Sequence, residues 1–196
     1  MPFISFLGCD GYGKSAVIVG VSGHLREKGE SVELGHWRPK PFSQQNTDTP
    51  AAADDPHGQL PRGSLGSALK LAWLGFNWWV AWFRRLRRES RNGFVLFDRY
   101  NGDLLVDPRR YRYGGPTAIA RLAVRMMPQP DLVIFLDAPP EVLLSRKQEV
   151  GEEVLATART EYLVFCRAET RSLIVDASQP LDKVIAEAAR ACENAN

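Results

Sequence analysis

The chain has 196 residues, which suits a single domain large enough to bury a sizeable core. Hydrophobic residues make up 44% and charged residues 24%, so the composition excludes disordered, collagen-like and low-complexity proteins. The 25 basic and 23 acidic side chains give a net charge of +2, which excludes the strongly basic field of a protein that coats nucleic acid.

The cysteines and the N-terminus predict a cellular location. Cys9, Cys166 and Cys192 are far apart and lack the paired spacing of a zinc site or a disulfide framework. The N-terminal apolar run has no basic segment before it and stops at Gly8, which is unlike a secretory signal. We therefore expect one domain, residues 1–196, in the reducing cytoplasm.

The first predicted elements form a βαβ unit. An apolar strand over residues 3–7 is followed by a glycine-rich loop, and then by a helix with apolar residues at helical spacing that ends at Gly29. A second strand follows over residues 31–37. Strand, helix and strand in this order predict parallel pairing with a right-handed crossover.

Residues 39–63 differ in composition from the segments around them. They are rich in Pro, Gln, Asp and Ala, show no periodicity, and are longer than an ordinary connection. Two interpretations stay open: a disordered segment, or an acceptor-side loop that folds over a substrate.

Residues 64–91 are predicted to form one long helix. It holds four of the five tryptophans and ends in a run of arginines, which the helix dipole favours at a C-terminus. Its apolar part, residues 65–83, is interrupted by Lys70 and Asn77, which disfavours a helix that spans a membrane. Interfacial contact with a membrane through residues 65–88 stays open as an alternative.

The rest of the chain continues the alternation of strands and helices. Strands are predicted over 94–97, 132–136 and 172–175, and helices over 116–127, 139–147, 152–169 and from residue 180. Five strands alternating with helices predict an α/β fold, with a five-stranded parallel sheet flanked by helices on both faces.

The glycine-rich loop carries the most specific motif. Residues 8–15, GCDGYGKS, satisfy GxxxxGK[ST] between a strand and a helix, which is the fingerprint of a P-loop NTPase. Backbone N–H groups of such a loop surround a phosphate, the lysine adds charge, and the serine hydroxyl can ligate Mg²⁺. The predicted ATP-binding residues are Gly8, Gly11, Tyr12, Gly13, Lys14, Ser15 and Ala16.

Three acidic residues near strand ends are candidates for the chemistry. Asp98 ends an apolar strand, where a carboxylate near Mg²⁺ and the attacking group is expected; a turn-capping role is the alternative. Asp10 lies in the glycine loop, where an acid beside a phosphate is costly, which suggests service to Mg²⁺ or to a substrate hydroxyl rather than to the phosphate directly; a solvated loop position is the alternative. Asp137 is followed at once by two prolines, which favours a turn-forming role.

Four blocks of the sequence resemble thymidylate kinases. The loop over 8–15 resembles that family's GxDGxGKS loop, and residues 97–100, FDRY, resemble its DRY segment. Residues 136–142 are similar to its LDxPPE stretch, and residues 175–181 to its DASQP stretch. The blocks occur in the family's order and extend along nearly the whole chain.

This resemblance implies a set of roles. It implies ATP and Mg²⁺ as cofactors, Ser15 and Asp98 as magnesium ligands, and a homodimer. A lid region over 146–153 is implied as well, with Arg146 stabilising charge on the transferring phosphoryl group; a solvated helix end is the alternative for this arginine. The implied catalytic residues are Asp10, Lys14, Asp98, Arg99 and Arg146.

The acceptor-side segments depart from the family. A REPG-like turn is replaced by His36-Trp37-Arg38-Pro39, an arginine of the long helix by the stretch 76–79, and an AYQG-like motif by residues 101–115. Nine arginines against four acids over residues 84–112 favour an anionic acceptor, with a solvated helix end and a flexible loop as the alternative. His36 is a candidate base on a hydroxyl, or simply a packed or exposed side chain. The predicted acceptor-binding residues are His36, Arg38, Trp78, Arg99, Tyr100, Arg109 and Arg112.

Three functional hypotheses follow. The leading one is an ATP- and Mg²⁺-dependent kinase that transfers the γ-phosphoryl group to a nucleoside monophosphate. The alternative acceptor is a non-nucleotide molecule such as a carbohydrate or a lipid-linked hydroxyl. A non-catalytic ATP-binding module comes third, and nucleic-acid binding is weak because the net charge is near zero and no recognised motif is present.

Overall fold

The computed structural model describes residues 2–9, 11–37, 63–108, 110–139, 141–142, 152–169 and 171–195. Side chains are described throughout these ranges except at 152–154. Several predicted functional residues lie outside the described residues: Asp10, Arg38, Arg109 and Arg146. Most of the acceptor-side loop (39–62) and of the lid region (146–151) also lies outside them.

Five parallel strands form one sheet in the order β2-β3-β1-β4-β5. This confirms the predicted parallel α/β architecture, and each strand begins and ends within one residue of its predicted bounds. The three central strands are mostly apolar and are buried along nearly their whole length, because both faces of the sheet are covered. The strands are β1 Phe3–Leu7, β2 Ser31–His36, β3 Gly93–Asp98, β4 Leu132–Asp137 and β5 Ser172–Asp176.

Seven α-helices flank this sheet in the described part of the chain. The first helix packs along the last one, the fifth packs on the long second helix, and the sixth contacts β4 and β5. The short helix over residues 103–106 was not predicted, the others lie close to their predicted positions, and most of the helix predicted over 139–147 lies outside the described residues. The helices are α1 Lys14–Glu27, α2 Ser64–Ala81, α3 Arg87–Asn92, α4 Asp103–Val106, α5 Thr117–Met126, α6 Glu152–Ala168 and α7 Leu181–Asn194.

The long predicted helix is continuous but contains one π-helical turn, Trp82–Leu86, between α2 and α3. The buried residues of α2 follow spacings of three and four up to Ala81. A regular α-helix would next turn Arg85 toward the core. The π turn adds one residue, so that Leu86 is buried instead and the Arg85 guanidinium pairs with the carboxylate of Glu33 on β2.

Trp78 lies in the core, which corrects the prediction that it contacts the acceptor. Its side chain is 0% exposed, and its ring lies 5.9, 5.2 and 4.9 Å from the ring centroids of Phe3, Phe97 and Tyr100. Complete burial of so large a ring stabilises the folded protein strongly, because it removes a large apolar area from water. Tyr100 is also buried, and its hydroxyl donates to the backbone oxygen of Pro128. Neither side chain has surface left for a bound acceptor.

The carboxyl ends of the strands place the predicted chemistry at one edge. Asp98 is paired in register with Phe6 of β1 and with His36 of β2. Because the strands are parallel, the glycine loop after β1, the end of β2 and the end of β3 lie at the same edge of the sheet. In open α/β sheets this edge is where ligands bind. Within the described residues, no helix is both long and apolar enough to span a membrane.

Candidate active site at the carboxyl edge of the sheet

The glycine loop adopts backbone conformations that its sequence requires. Gly8 and Gly13 have φ angles of 148° and 76°, in the region that favours glycine. At Gly8 a Cβ atom would also lie 3.0 Å from the backbone oxygen of Leu136. The hydroxyl of Tyr12 donates to the backbone oxygen of Ala138 at 2.9 Å, which ties the loop to the end of β4.

Lys14 turns its ammonium group into this loop. The side chain is only 6% exposed, and Nζ donates to the backbone oxygens of Gly8 and Cys9 at 2.8 and 2.9 Å. Ser15 and Ala16 follow as exposed residues on the first turn of α1, which carries no acidic residue. A cation inside a glycine turn at a helix N-terminus is suited to hold an anion such as a phosphate.

Asp98 presents an unsatisfied oxygen at the end of β3. Its Oδ1 atom is buried and has no hydrogen-bond partner among the described residues. Its backbone oxygen accepts the N–H of Trp37 at 2.9 Å, which fixes the strand end. A buried carboxylate oxygen is costly unless something satisfies it, so this atom is suited to meet a ligand hydroxyl or a cation.

Arg99 is held in a strained backbone conformation directly after Asp98. Its φ angle is 68°, its side chain is 5% exposed, and its N–H donates to the backbone oxygen of Phe6 at 2.9 Å. A non-glycine residue in the left-handed region costs about 1–3 kcal/mol and persists only where its surroundings enforce it. Strain of this kind is concentrated at functional sites.

Asp103 is a functional candidate that sequence reasoning missed. It is completely buried, and Arg99 Nη1 lies 3.1 Å from its Oδ2 atom. The hydroxyls of Tyr162 and Tyr111 donate to its two carboxylate oxygens at 3.0 and 3.3 Å. Burial, reinforced by the Asp103 charge, raises the pKa of both tyrosines well above its usual range, so both hydroxyls stay protonated donors. An acid four residues after the arginine of the DRY segment was the available signal.

His36 stands at the end of β2, opposite Asp98. Burial of the ring lowers the pKa of His36, and the Arg99 and Arg110 guanidinium groups act in the same direction against the opposing charge of Asp98. The imidazole is therefore neutral at pH 7. Its neighbour Trp37 lies 4.7 Å, centroid to centroid, from the ring of Tyr111.

The segment that replaces the family's AYQG-like motif is packed where it is described. Tyr111 and Tyr113 are buried between α2 and α5, and the N–H of Gly114 donates to the hydroxyl of Ser67 at 3.0 Å. Arg112 is half-buried with a φ angle of 52°. This packing contradicts the interpretation of the described residues as a flexible loop.

Asp137 pairs with an arginine of α6, and the turn-forming role that its prolines favour stays a prediction. Its two carboxylate oxygens accept hydrogen bonds from Arg159 Nε and Nη2 at 2.6 and 2.8 Å, which joins the end of β4 to α6. Arg159 lies in an ordinary helical pattern with no motif around it. The sequence therefore gave no signal for this pair.

The structure brings most of the described candidates to one edge of the sheet. The loop residues, Asp98, Arg99 and His36 gather there, with Arg110 and Tyr111 around them. Trp78 and Tyr100 do not, since both are buried in the core.

Comparison with known proteins shows distant similarity only. No protein-family model matches the chain. The chain is similar to the thymidylate kinase of Thermosipho melanesiensis, with 24% identity over a 212-residue alignment that covers 96% of each protein. Together with the all-parallel five-stranded sheet, this supports a kinase-like relationship along nearly the whole chain.

Proposed function

We propose that the chain is an ATP- and Mg²⁺-dependent kinase that transfers the γ-phosphoryl group of ATP to a small acceptor. The observation that carries the proposal is the buried Lys14 ammonium inside the glycine turn, at the same sheet edge as Asp98. The distant similarity to a thymidylate kinase supports the same activity.

The part of the site that binds ATP acts by positioning the phosphates and neutralising their charge. The glycine loop and the first turn of α1 bind the ATP phosphates, and Lys14 neutralises charge on them. Phosphoryl transfer asks for little covalent chemistry from the protein, so positioning and electrostatic stabilisation supply most of the catalysis. Asp10 stays a predicted acceptor or metal contact, and Arg146 stays a predicted cation of the lid.

Ser15 and Asp98 are the described side chains that fit a magnesium ion. Both offer oxygen donors, which Mg²⁺ prefers, and Asp98 Oδ1 is buried without a partner among the described residues. No group of three His, Cys, Asp or Glu within the described ranges could hold a metal by itself. Magnesium is commonly held by one or two side chains together with substrate phosphates. When bound, it would neutralise charge on the phosphate oxygens.

A nucleoside monophosphate is the leading acceptor. Arg99 lies beside Asp98, where it can contact an acceptor phosphate as the resemblance implies, and Arg110 adds positive charge near His36. A non-nucleotide acceptor such as a carbohydrate is the second candidate. It is favoured by the different sequence of residues 101–115 and by the ion pair through which Asp103 offsets the charge of Arg99.

The first test is consumption of ATP with Mg²⁺ against a panel of acceptors. The panel contains thymidylate, the other nucleoside monophosphates, thymidine, and simple and phosphorylated sugars. We expect transfer to at least one nucleoside monophosphate, because the positive charge near Asp98 suits an acceptor phosphate. Transfer to a sugar alone would support the kinase activity and would identify a carbohydrate, rather than a nucleoside monophosphate, as the acceptor. ATP binding without any product would support the non-catalytic module instead.

We further propose that the chain forms a homodimer through α2 and α5. Both helices expose large apolar side chains on neighbouring surfaces, and Trp79 Nε1 of α2 donates to the backbone oxygen of Met126 on α5 at 3.0 Å. A contiguous exposed apolar patch of this kind indicates an interaction surface. Its members are Leu65, Leu69, Trp73, Phe76, Trp79, Phe83, Ile119, Leu122 and Met126.

Charge placed on this surface should abolish dimerisation. The double variant Trp73→Glu/Phe76→Glu replaces two apolar side chains, which are 63% and 62% exposed, with carboxylates. Because both positions are exposed, the protein should still fold, and we expect a monomer by sedimentation velocity. Val19→Glu on α1 is the control, since Val19 is 65% exposed on a different helix, and it should leave the dimer intact. If the wild type is a monomer and binds lipid vesicles through this helix, the dimer proposal fails and the membrane interpretation is supported instead.

A further inference from the structure

We propose that Asp103 is a positioning residue, which fixes the guanidinium group of Arg99 in the orientation needed on the acceptor side of the site. This inference rests on the kinase function proposed above. It assigns a role to a residue outside the motifs that suggested that function.

The contacts around Asp103 show how the carboxylate is held. Tyr162 of α6 donates to Oδ1 at 3.0 Å, whereas Tyr111 and Arg99 Nη1 engage Oδ2 at 3.3 and 3.1 Å. All three partners are buried, and Tyr162 lies 59 positions away in the chain. The two tyrosines therefore hold the carboxylate in place for the guanidinium.

Fold stability alone is a weak explanation for this buried pair. Desolvation of two charges offsets most of their attraction, and apolar side chains of similar volume often replace such pairs at no loss of stability. The pair also coincides with the strained backbone of Arg99, whose φ angle is 68°. We therefore infer that the pair serves to orient the Arg99 guanidinium group rather than to stabilise the fold.

The orientation of the guanidinium group determines how it can bind an anion. It is a rigid planar group with five N–H donors, and contact with Asp103 at Nη1 sets the plane in which the others lie. Anions are recognised in that plane, often by two parallel hydrogen bonds. Loss of Asp103 should therefore weaken contact with the acceptor while leaving the loop that holds ATP unchanged.

The test is steady-state kinetics of Asp103→Asn, with ATP and the acceptor that the panel identifies as the substrate. We expect the acceptor KM to rise at least tenfold and kcat/KM to fall about 10- to 100-fold, because small misplacements of a positioning group have effects of this size. The ATP KM should stay within about twofold of wild type. Arg99→Lys keeps the charge but loses the fixed plane, so it should reproduce these changes. In the Arg99→Lys background, Asp103→Asn should add less than about threefold.

Tyr162→Phe is the matched control. It removes a hydrogen bond from the same buried carboxylate and leaves the contact between Arg99 and Asp103 in place, so we expect the acceptor KM to change by less than about threefold. An Asp103→Asn protein that keeps the wild-type acceptor KM would overturn the proposal. Equal losses in Tyr162→Phe and Asp103→Asn would also overturn it, because they would indicate a structural role only.

A spectroscopic measurement separates this inference from the proposed function. In ¹⁵N-arginine spectra, the Arg99 Nη1–H signal, assigned by its loss in Arg99→Lys, should be protected from exchange in wild type and in Tyr162→Phe, because Nη1 is the atom that contacts Asp103. It should lose that protection in Asp103→Asn. If wild type transfers phosphate to no acceptor, the kinase proposal fails, whereas the spectra still decide whether Asp103 fixes Arg99. Unchanged protection in Asp103→Asn would overturn the positioning role, whatever the activity.

Discussion

Replacing Lys14 with alanine is expected to lower ATP turnover by about 10²- to 10³-fold, the usual loss when one preorganised charge-stabilising donor is removed. The Lys14 ammonium is buried in the glycine turn and bonded to the backbone oxygens of Gly8 and Cys9. Its removal therefore takes away the charge that would face the ATP phosphates, and it also frees two carbonyl groups that the lysine holds in the turn. The measurement is ATP consumption at saturating Mg²⁺ with the best acceptor of the panel.

Lys28→Ala is the matched control for this variant. Lys28 follows α1 at its other end, and its ammonium pairs with the Glu193 carboxylate at the surface. Surface pairs of this kind contribute little to stability, so turnover should stay near wild type. Full activity in Lys14→Ala would contradict the assignment of this loop to the ATP phosphates, because no other described lysine lies in the turn.

The sheet could be predicted from the sequence because its strands are buried on both faces. Such strands appear as short, continuous apolar runs, and β3 and β4 each extended only one residue beyond the predicted end, to Asp98 and Asp137. The glycine loop could be predicted because its chemistry depends on a fixed local spacing. In both cases the determining interactions lie close together in the sequence.

The features that could not be predicted depend on distant contacts. Trp78 and the exposed Trp73 are both tryptophans of the same helix, and only the packing of Phe3 and Phe97 decides that Trp78 is buried. Asp103 acquires its role through Tyr162, which lies 59 positions later in the chain. A local pattern carries no information about such pairs.

The π turn is another feature that the local pattern does not reveal. The buried residues Ala81 and Leu86 are five positions apart, but Trp78, Trp82 and Leu86 keep the spacing of four that a regular helix allows. The extra residue accompanies the pairing of Arg85 with Glu33 of β2, a contact between distant parts of the chain.

Asp98→Asn is expected to lower kcat by about 10²- to 10⁴-fold, the range typical of a side chain that handles protons or charge at a reacting group. The amide keeps the shape of the side chain but removes the negative charge from Oδ1, the atom that has no partner among the described residues. ATP affinity should change little, because Lys14 and the glycine loop are untouched. The measurements are kcat with the best acceptor and ATP binding by calorimetry.

The stability of the same variant is the sharper part of this prediction. A buried carboxylate oxygen without a partner destabilises the folded protein, so its replacement by a neutral amide should leave the free energy of unfolding unchanged or raise it. Asp131→Ala is the control at the opposite edge of the sheet. Asp131 accepts the N–H of Phe3 at 2.9 Å and alanine has no side-chain acceptor, so this variant should lose about 1 kcal/mol of stability and keep full activity. Lower stability together with full activity in Asp98→Asn would show instead that Asp98 serves the strand end as a turn-capping residue.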